Sequence, residues 1–381
     1  MTSTTPTPFH VVIVGGGVAG LEAALALREL AGDRITTTLL SGTTEFVYRP
    51  MRVTEPFAGR TARHYSLEEI ARDIGVELVL DTFKWLEPDR RLVHTAGGEK
   101  LGYDALLLAP GAVLRPHFSH AVTLDDARLD EQLHGLIQDV EGGYVHKLAF
   151  LAPTPMPWPL PLYELALMTA RRAYDMDVKV SITLATPEDA PLAIFGTAVS
   201  QALARLLEEN DIVTLAAVHA ETPSPGTVSV RPGDRRLEVD RVVALPELFG
   251  PDLPGVPTGR ARGFIPIDVH CRVPELERVY AAGDATDFAV KHGGIAAQQA
   301  DTAAEAIAAL AGAPVDPAPF HPVIHAVLLG GGEPLYLSAH LTGGHGSSSE
   351  VSRTATWSPG TKIAAKYLAP YLESRDRSAL R

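Results

Sequence analysis

The chain has 381 residues, of which 46% are hydrophobic and 21% are charged, and its formal net charge is −13. This length predicts two to three domains of about 150 residues each. The negative charge argues against a nucleic acid partner, and no run of about 20 apolar residues predicts a transmembrane helix. The N-terminus has neither the basic start nor the apolar core of a signal peptide, so we expect a soluble, cytoplasmic protein.

The chain opens with a pattern of strand, glycine turn and helix. The apolar run His10–Val14 precedes the motif Gly15-x-Gly17-x-x-Gly20, and good helix formers continue from Val18 to Ala31. In such a turn the first glycine bends the chain, the second lets a pyrophosphate approach, and the third lets the helix lie close to the strand. The pattern therefore predicts a dinucleotide site, with a purely structural turn as the alternative.

A second strand is predicted from Ile35 to Leu40. It ends at Ser41, where dinucleotide folds usually carry an acid that binds a ribose. Serine can hydrogen-bond a ribose but brings no charge, so the identity of the nucleotide stays open. The segment from Glu45 to Pro50 is predicted to be a loop that brings Arg49 and Pro50 over a bound ring, and a surface turn is the alternative.

The next part of the chain predicts one helix and several strands. The helix starts at a capping box on Ser66 and continues to Ile74. An apolar strand that precedes the turn Ala109-Pro110-Gly111 fits a buried parallel sheet. The predicted strands are Val76–Leu86, Arg91–His94 and Tyr103–Leu108.

The middle of the chain predicts a second α/β unit without a glycine turn. A strand from Lys147 to Ala152 leads into a proline-rich segment, Pro153 to Pro161, and then into a helix. Proline has no N–H group for a phosphate and cannot adopt the glycine conformation, so the usual sign of a nicotinamide dinucleotide site is missing. The other predicted elements are the strand Val178–Ala185, the helix Ala198–Asn210, the strand Ile212–Ala217 and a strand pair within residues 235–245.

The C-terminal region departs from this pattern. Residues 326–340 predict a strand hairpin around glycines, and residues 342–349 predict a flexible loop. The segment Ile363–Leu372 has Ile363, Tyr367 and Tyr371 on one side. Core or dimer packing, contact with a cofactor and contact with a membrane surface are the alternatives for this segment.

Three motifs in order resemble the two-dinucleotide-fold, FAD-dependent pyridine nucleotide-disulfide oxidoreductases. They are the glycine turn, the Ala109-Pro110-Gly111 turn, where these proteins usually have Ala-Thr-Gly, and Gly283-Asp284 after an apolar strand. The resemblance implies bound FAD, with Asp284 accepting a hydrogen bond from a ribityl hydroxyl and Phe83 near the adenine.

The resemblance also implies an α/β fold with two Rossmann-like dinucleotide-binding domains and a small C-terminal α+β cap. The FAD-binding domain is expected to combine residues 1–115 and 265–315. Residues 116–264 are expected to form the second dinucleotide fold, which binds an NAD-like molecule or a substrate. Residues 316–381 are expected to form the cap.

Within that superfamily, residues 284–301 resemble the group of sulfide:quinone oxidoreductases and type II NADH dehydrogenases. This stretch would lie under the flavin ring, and the helix that begins around Gly294 and Ala296 would direct its positive end to the flavin. Lys291 either adds a positive charge there or is a solvated lysine. His292 either relays protons or is structural.

The single cysteine limits the chemistry. The relatives in this group oxidise sulfide with several cysteines, and disulfide reductases need a cysteine pair; here Trp158 stands near one of those positions. Cys271, in a predicted strand over residues 265–272, is expected to be a core residue. We therefore expect neither sulfide oxidation nor disulfide reduction. A metal site is not expected, because His117 and His120 have no further ligands near them.

Taken together, the sequence predicts an oxidoreductase that moves two electrons through FAD. The donor is left open, with NAD(P)H as one candidate, and the acceptor is expected to be a quinone or a similar small molecule. One alternative is a reductase that serves a protein electron-transfer partner, and another is a flavin-binding protein without turnover. Peripheral membrane contact through the C-terminus and a homodimer are left open.

Overall fold

A computed structural model describes residues 8–57, 62–124, 129–259, 262–342 and 345–379. These residues form seven α-helices, which are α1 Val18–Ala31, α2 Leu67–Ile74, α3 Leu129–Glu141, α4 Leu160–Asp175, α5 Thr197–Glu209, α6 Gly293–Leu310 and α7 Leu368–Ala379. The first eleven strands are β1 Phe9–Val14, β2 Ile35–Ser41, β3 Glu45–Val47, β4 His64–Ser66, β5 Glu77–Leu80, β6 Phe83–Glu87, β7 Leu92–Thr95, β8 Lys100–Gly102, β9 Ala105–Leu108, β10 Val113–Arg115 and β11 Val122–Thr123. The later strands are β12 Lys147–Leu151, β13 Ser181–Ala185, β14 Ile212–Leu215, β15 His219–Ser224, β16 Thr227–Arg231, β17 Arg235–Glu238, β18 Arg241–Ala244, β19 Glu247–Phe249, β20 Val279–Ala281, β21 Val323–Leu328, β22 Leu335–Thr342 and β23 His345–Ser352.

The first sheet is parallel and has the strand order β20-β9-β1-β2-β5. Alternate residues of its strands face opposite sides, and both sides are covered, so β9 is apolar throughout. Ile13 and Leu107 pack with α1 and α6 on one side. Val12 and Leu106 pack on the other side with the antiparallel sheet β6-β7-β8. The four residues of β9 are all buried.

The second sheet is also parallel, with the order β11-β18-β12-β13-β14. One side of it packs with α3, α4 and α5, where Phe150 and Leu184 lie in the largest apolar cluster. The other side packs with the antiparallel sheet β15-β16-β17 through residues such as Ala149 and Val228. Two parallel sheets of this kind agree with the predicted α/β class.

The C-terminal part consists of the antiparallel sheet β21-β22-β23 and helix α7. The predicted hairpin of residues 326–340 corresponds to β21 and β22. The predicted flexible loop at residues 342–349 is wrong for the residues that are described, because residues 345–352 pair with β22 as β23. A Cβ atom on Gly346 would lie 2.5 Å from the backbone oxygen of Ile194, so the small residues allow β23 to pass close to the second domain.

The predicted C-terminal segment is helical only in part. Helix α7 begins at Leu368, five residues later than the start of the predicted segment, and continues to Ala379. Ile363, Tyr367 and Tyr371 all pack into the cluster around α1, although Ile363 and Tyr367 precede the helix. Among the helices that the structure describes, none has the length and apolar character needed to cross a membrane.

Three further predictions of local structure are wrong. Residues 76–86 form two strands, β5 and β6, which belong to different sheets. The strands predicted as a pair within residues 235–245 also separate, because β17 pairs with β16 and β18 pairs with β12. Residues 45–50 are not a loop, since β3 is followed by a 3₁₀ helix, Arg49–Phe57.

The predicted strand around Cys271 is also absent. Within the described part of this segment, only single bridges join Ile265 to Thr286 and Arg272 to Tyr280. Cys271 has a φ of +59°, which a regular strand does not allow. Its side chain is fully buried, as expected of a core residue.

The predicted serine cap at the start of α2 can be tested by mutation. The Ser66 hydroxyl accepts a hydrogen bond from the Glu69 N–H group at 3.3 Å, and Gly75 ends the helix in the left-handed conformation. We expect Ser66→Ala to lower the free energy of unfolding by about 1 kcal/mol, because one N–H group loses its acceptor. Urea denaturation followed by circular dichroism measures this change. Ser66→Asp, which keeps an acceptor, is the control, and equal losses for both variants would contradict the capping role.

Candidate functional site

Three turns meet at the carboxyl edge of the first sheet. They follow β1, β9 and β20, and parallel strands bring their carboxyl ends to one edge. The Ala109 N–H group donates to the Val14 oxygen at 2.8 Å, and the Ala282 N–H group donates to the Leu108 oxygen at 3.0 Å. The three motifs that are far apart in the sequence therefore form one continuous surface.

The glycines of the first turn differ in what surrounds them. Gly15 has a φ of +111°, and a Cβ atom there would lie 2.2 Å from the Ala109 oxygen. A Cβ atom on Gly20 would lie 1.9 Å from the Gly15 oxygen. These two positions need glycine for the fold itself. Around a Cβ atom on Gly17, in contrast, no described atom lies within 4 Å, so this position leaves open space at the start of α1.

The turn after β20 is held from inside the protein. Gly283 has a φ of +79°, and its N–H group donates to the Gln299 side-chain oxygen at 2.8 Å. The Gln299 side-chain NH₂ group is buried and has no partner among the described residues. Burial raises the pKa of Asp284, while Lys291 and Arg49 lower it. An acidic side chain and two cations therefore lie near one another beside this turn.

The other residues predicted to bind the cofactor lie around these turns to different degrees. Gly111, with a φ of +82°, also faces open space. Ser41 is buried next to Gly16, but its hydroxyl contacts the backbone of Thr43, at 3.0 Å from the oxygen and 3.2 Å from the nitrogen. Phe83 packs in the apolar cluster beneath the first sheet, so its contact with an adenine stays a prediction.

A cavity of about 220 Å³ lies at the start of α6. It brings together five residues that the sequence singled out, which are Arg49, Pro50, Trp158, Lys291 and His292. Gly293 also lines it, so Gly294 and Ala296 in the first turn of α6 lie beside it. The rest of the wall consists of Leu160, Pro161, Glu164, Ala326, Val327 and Lys362.

His292 caps α6. Its Nδ1 atom accepts a hydrogen bond from the Gly294 N–H group at 3.1 Å, so a proton on the neutral ring sits on Nε2. Burial first, and then His325 and Lys362, lower the pKa of His292 to about 3. The ring also packs against Trp158, with 4.3 Å between the centroids. His292 is therefore a neutral capping residue near pH 7.

Lys291 is buried rather than solvated, with 7% of its surface exposed. Its ammonium group donates to the Thr286 oxygen and lies 3.9 Å from the centre of the Phe264 ring. Burial lowers the pKa of Lys291 to about 8, although Asp284 and Asp287 oppose this shift. A cation thus lies close to the start of α6.

The ion pair between Glu164 and Lys362 was not predicted from the sequence. The Lys362 Nζ atom lies 2.7 Å and 2.8 Å from the two carboxylate oxygens, and it also donates to the Pro50 oxygen at 3.2 Å. Glu164 accepts a further hydrogen bond from the Leu329 N–H group at 2.9 Å. Burial raises the pKa of Glu164, and Lys362 opposes this shift.

One feature of the sequence pointed to this pair. Glu164 is the only charged residue in the apolar run Leu162–Met168, and a charge inside such a helix needs a partner. The sequence around Lys362 gives no comparable signal. The pairing itself joins residues that are 198 positions apart, which local patterns do not report.

Cys271 does not line the cavity. Burial raises the pKa of its thiol to about 12, so it is not a thiolate near neutral pH. The His117 Nδ1 atom lies 3.3 Å from a carboxylate oxygen of Glu247. Across the described ranges, no group of three or more His, Cys, Asp or Glu residues could hold a metal ion.

We expect Lys362→Met to lower the free energy of unfolding by about 3 to 5 kcal/mol, because the Glu164 carboxylate loses its buried partner. The double variant Glu164→Gln with Lys362→Met should lose much less, since no buried charge is left unpaired. Chemical denaturation of the single and double variants measures the coupling. Lys84→Met, at an exposed lysine, is the control and should change stability by less than about 0.5 kcal/mol. A double variant as unstable as Lys362→Met would contradict the pairing.

Comparison with known proteins finds related sequences. The family model described as pyridine nucleotide-disulphide oxidoreductase matches residues 9–141. A sulfide-quinone reductase of Aquifex aeolicus is 32% identical over 107 residues, which cover 28% of this chain and 25% of that protein. An NADH dehydrogenase-like protein of Mycobacterium tuberculosis is 28% identical over 297 residues, which cover 72% of each chain.

The fold has a similar relative among solved structures. The sulfide:quinone oxidoreductase from Aquifex aeolicus superposes with a TM-score of 0.79 at 19% identity, over 91% of this chain and 87% of that chain. At this level of identity the likeness is one of fold. Residues 9–141 are therefore a domain of the pyridine nucleotide-disulphide oxidoreductase family, and the chain is related to sulfide-quinone reductase and NADH dehydrogenase-like proteins, which confirms the resemblance predicted from its sequence.

Proposed function

We propose that the chain binds FAD and transfers two electrons from a donor to a quinone or a similar small acceptor. The observation that carries this proposal is the cavity of about 220 Å³ at the start of α6, next to the glycine turns. We also keep, as part of the proposal, the division into an FAD-binding domain (1–115 and 265–315), a second dinucleotide fold (116–264) and a cap (316–381).

The residues present fit FAD. The open space at Gly17 and the free N–H groups at the start of α1 suit a pyrophosphate. Gly111 faces further open space, and the carboxyl group of Asp284 suits a ribityl hydroxyl. Ser41 is close enough to the glycine turn to reach a ribose if it gives up its contact with Thr43. When bound, FAD supplies the redox chemistry, and the protein supplies binding and electrostatics.

The cavity walls carry complementary groups. Lys291 and the positive end of α6 favour negative charge in the cavity. Glu164 and Lys362 also line it as an ion pair, and the Lys362 ammonium group can donate a hydrogen bond to an acceptor oxygen. Trp158 and the neutral ring of His292 offer flat surfaces for a planar molecule, and they shield these charges from water.

The second dinucleotide fold does not favour NAD(P)H as the donor. Tyr163 is fully buried, and its hydroxyl donates to Glu188 at 2.7 Å. Glu188 follows β13, where dinucleotide folds place the acid that binds a ribose. Glu188 also accepts a hydrogen bond from the Ala193 N–H group at 3.2 Å. Both of its carboxylate oxygens are therefore already hydrogen-bonded within the protein. The segment Pro153 to Pro161 also replaces a glycine turn. We therefore propose that the donor binds in the cavity itself and not as a dinucleotide on the second sheet.

The cysteine content also bears on the donor. Cys271 is a buried thiol outside the cavity, and it is the only cysteine of the chain. We therefore propose that the reaction is neither sulfide oxidation nor disulfide reduction. Under this proposal, the chain shares with the sulfide-quinone reductase its fold and a quinone-like electron acceptor, but not the electron donor.

Binding of FAD at the glycine turn can be tested with Gly17→Ala. A methyl group there meets no atom of the described residues, so the FAD-free protein should be as stable as the original. The methyl group should nevertheless block the pyrophosphate and weaken FAD binding at least tenfold. Absorbance titration of FAD-free protein measures this affinity. Gly135→Ala in α3, another glycine with open surroundings, is the control. Equal FAD affinity for all three proteins would mean that the cradle lies elsewhere.

Anaerobic titration of the FAD-bound protein tests the reaction. We expect NADH and NADPH to leave the flavin absorbance unchanged, dithionite to bleach it, and a water-soluble quinone then to restore it. Bleaching by NADH would show that the second dinucleotide fold does bind NADH, and would favour an NADH-dependent oxidoreductase. Failure of every quinone, with rapid oxidation by an electron-transfer protein, would favour a protein partner. A protein that never binds flavin would refute the whole proposal.

A further inference from the structure

A buried carboxyl group links α1 to the C-terminal segment. Glu22 on α1 is fully buried. Its two oxygens accept hydrogen bonds from the Tyr367 N–H group at 2.9 Å and the Leu368 N–H group at 2.5 Å. These N–H groups lie at the start of α7, where they have no partner within the helix and where a negative charge is favoured. Glu22 therefore caps α7 from a distant part of the chain.

A second carboxyl group, Asp301 on α6, lies beside Glu22, and its Oδ1 atom is buried without a hydrogen-bond partner among the described residues. Burial first, and then the charge of Glu22, raise the pKa of Asp301 to about 8. Burial also raises the pKa of Glu22, but the two backbone N–H groups favour its charged form, so Asp301 is the acid of the two that holds a proton near neutral pH. The other charged groups that face the pair are Lys366 from the C-terminal segment and Glu305 from α6.

The capped segment leads directly into the cavity. Lys362, five residues before Tyr367, makes the ion pair with Glu164. The Ile363 N–H group donates to the Tyr48 hydroxyl at 2.9 Å. The Ile363 side chain also packs on α6, because a Cβ atom on Gly293 would lie 3.0 Å from it. The placement of Lys362 thus depends on how firmly this segment is held.

We propose that Glu22 is a positioning residue for the cavity, and that the proton on Asp301 controls how firmly Glu22 holds the segment carrying Lys362. With the proton present, Asp301 donates to Glu22 and the pair bears one negative charge. When the proton leaves, the two carboxylates repel each other and the hold on Tyr367 and Leu368 weakens. That the cavity is an acceptor site rests on the proposed function. How firmly Glu22 holds the segment that carries Lys362 can be measured without turnover.

The sign of the pH effect follows from the direction of the shift. The folded-state pKa of Asp301, about 8, lies above its usual value of 3.8. The proton on Asp301 therefore stabilises the folded arrangement fully at low pH, and this contribution is lost as the pH rises from 3.8 through about 8. The segment should be held firmly at pH 6.5 and more loosely at pH 9.

The test is the acylation of Lys362 in the full-length protein, measured by mass spectrometry with acetic anhydride as the probe. Reactivity is expressed relative to the exposed Lys84, which corrects for the reagent. We expect Glu22→Gln to raise the relative reactivity of Lys362 at least tenfold at pH 7, since an amide offers only one acceptor oxygen for two N–H groups. Glu29→Gln, at an exposed position on α1, is the matched control and should leave it unchanged.

Asp301→Asn provides the second arm. Its amide donates a hydrogen bond to Glu22 at every pH, so the rise in Lys362 reactivity from pH 6.5 to pH 9 should be several-fold in the original protein and absent in this variant. Full protection of Lys362 in Glu22→Gln, or the same rise in Asp301→Asn as in the original protein, would overturn the inference. Should Glu22→Gln not fold, Asp301→Asn alone decides. Labelling needs no turnover, so the loss of the proposed redox function would leave this result readable.

Discussion

The contact between α1 and β1 at Gly20 is the constraint on which the site depends. A Cβ atom at this position would lie 1.9 Å from the Gly15 oxygen, so only glycine lets the helix start so close to the strand. Alanines continue this close packing, and α6 lies against α1 through residues such as Ala23 and Ala300. The start of α6 therefore lies beside the glycine turn. For that reason, the surface that suits a pyrophosphate and the cavity proposed for the reaction are neighbours.

The sequence predicted the elements that local rules determine. The bounds of α1 were predicted to the residue, because Gly17 and Gly32 stand at its ends, and α2 followed from its serine cap. Where tertiary contacts decide, prediction failed. Cys271 adopts a positive φ inside the core, although its flanking residues look like a strand. The glycine- and serine-rich β23 looks like a loop, yet it pairs with β22, and Gly346 is small because it passes close to the Ile194 backbone.

The candidate site was also predicted from the sequence only in part. Lys291, His292 and Trp158 were singled out from motifs and do line one cavity. The pairing of Glu164 with Lys362 was missed, since it joins α4 to a segment 198 residues later. Burying either charge alone is costly, so the structure forces the two together, but the sequence records only that each residue is present. The capping of α7 by Glu22 was also not predicted, because the partners of Glu22 are backbone N–H groups from a distant part of the chain.

The features that argue against NAD(P)H in the second fold also build the cavity. A glycine turn after β12 would leave the start of α4 open for a phosphate, as Gly17 does at α1. The proline-rich segment instead carries Trp158 to the ring of His292, and α4 then directs Glu164 to Lys362. One stretch of chain thus exchanges a nucleotide-binding surface for an aromatic wall and a buried acid. In the proposed function, this exchange moves recognition from a dinucleotide on the second sheet to a small molecule at the start of α6.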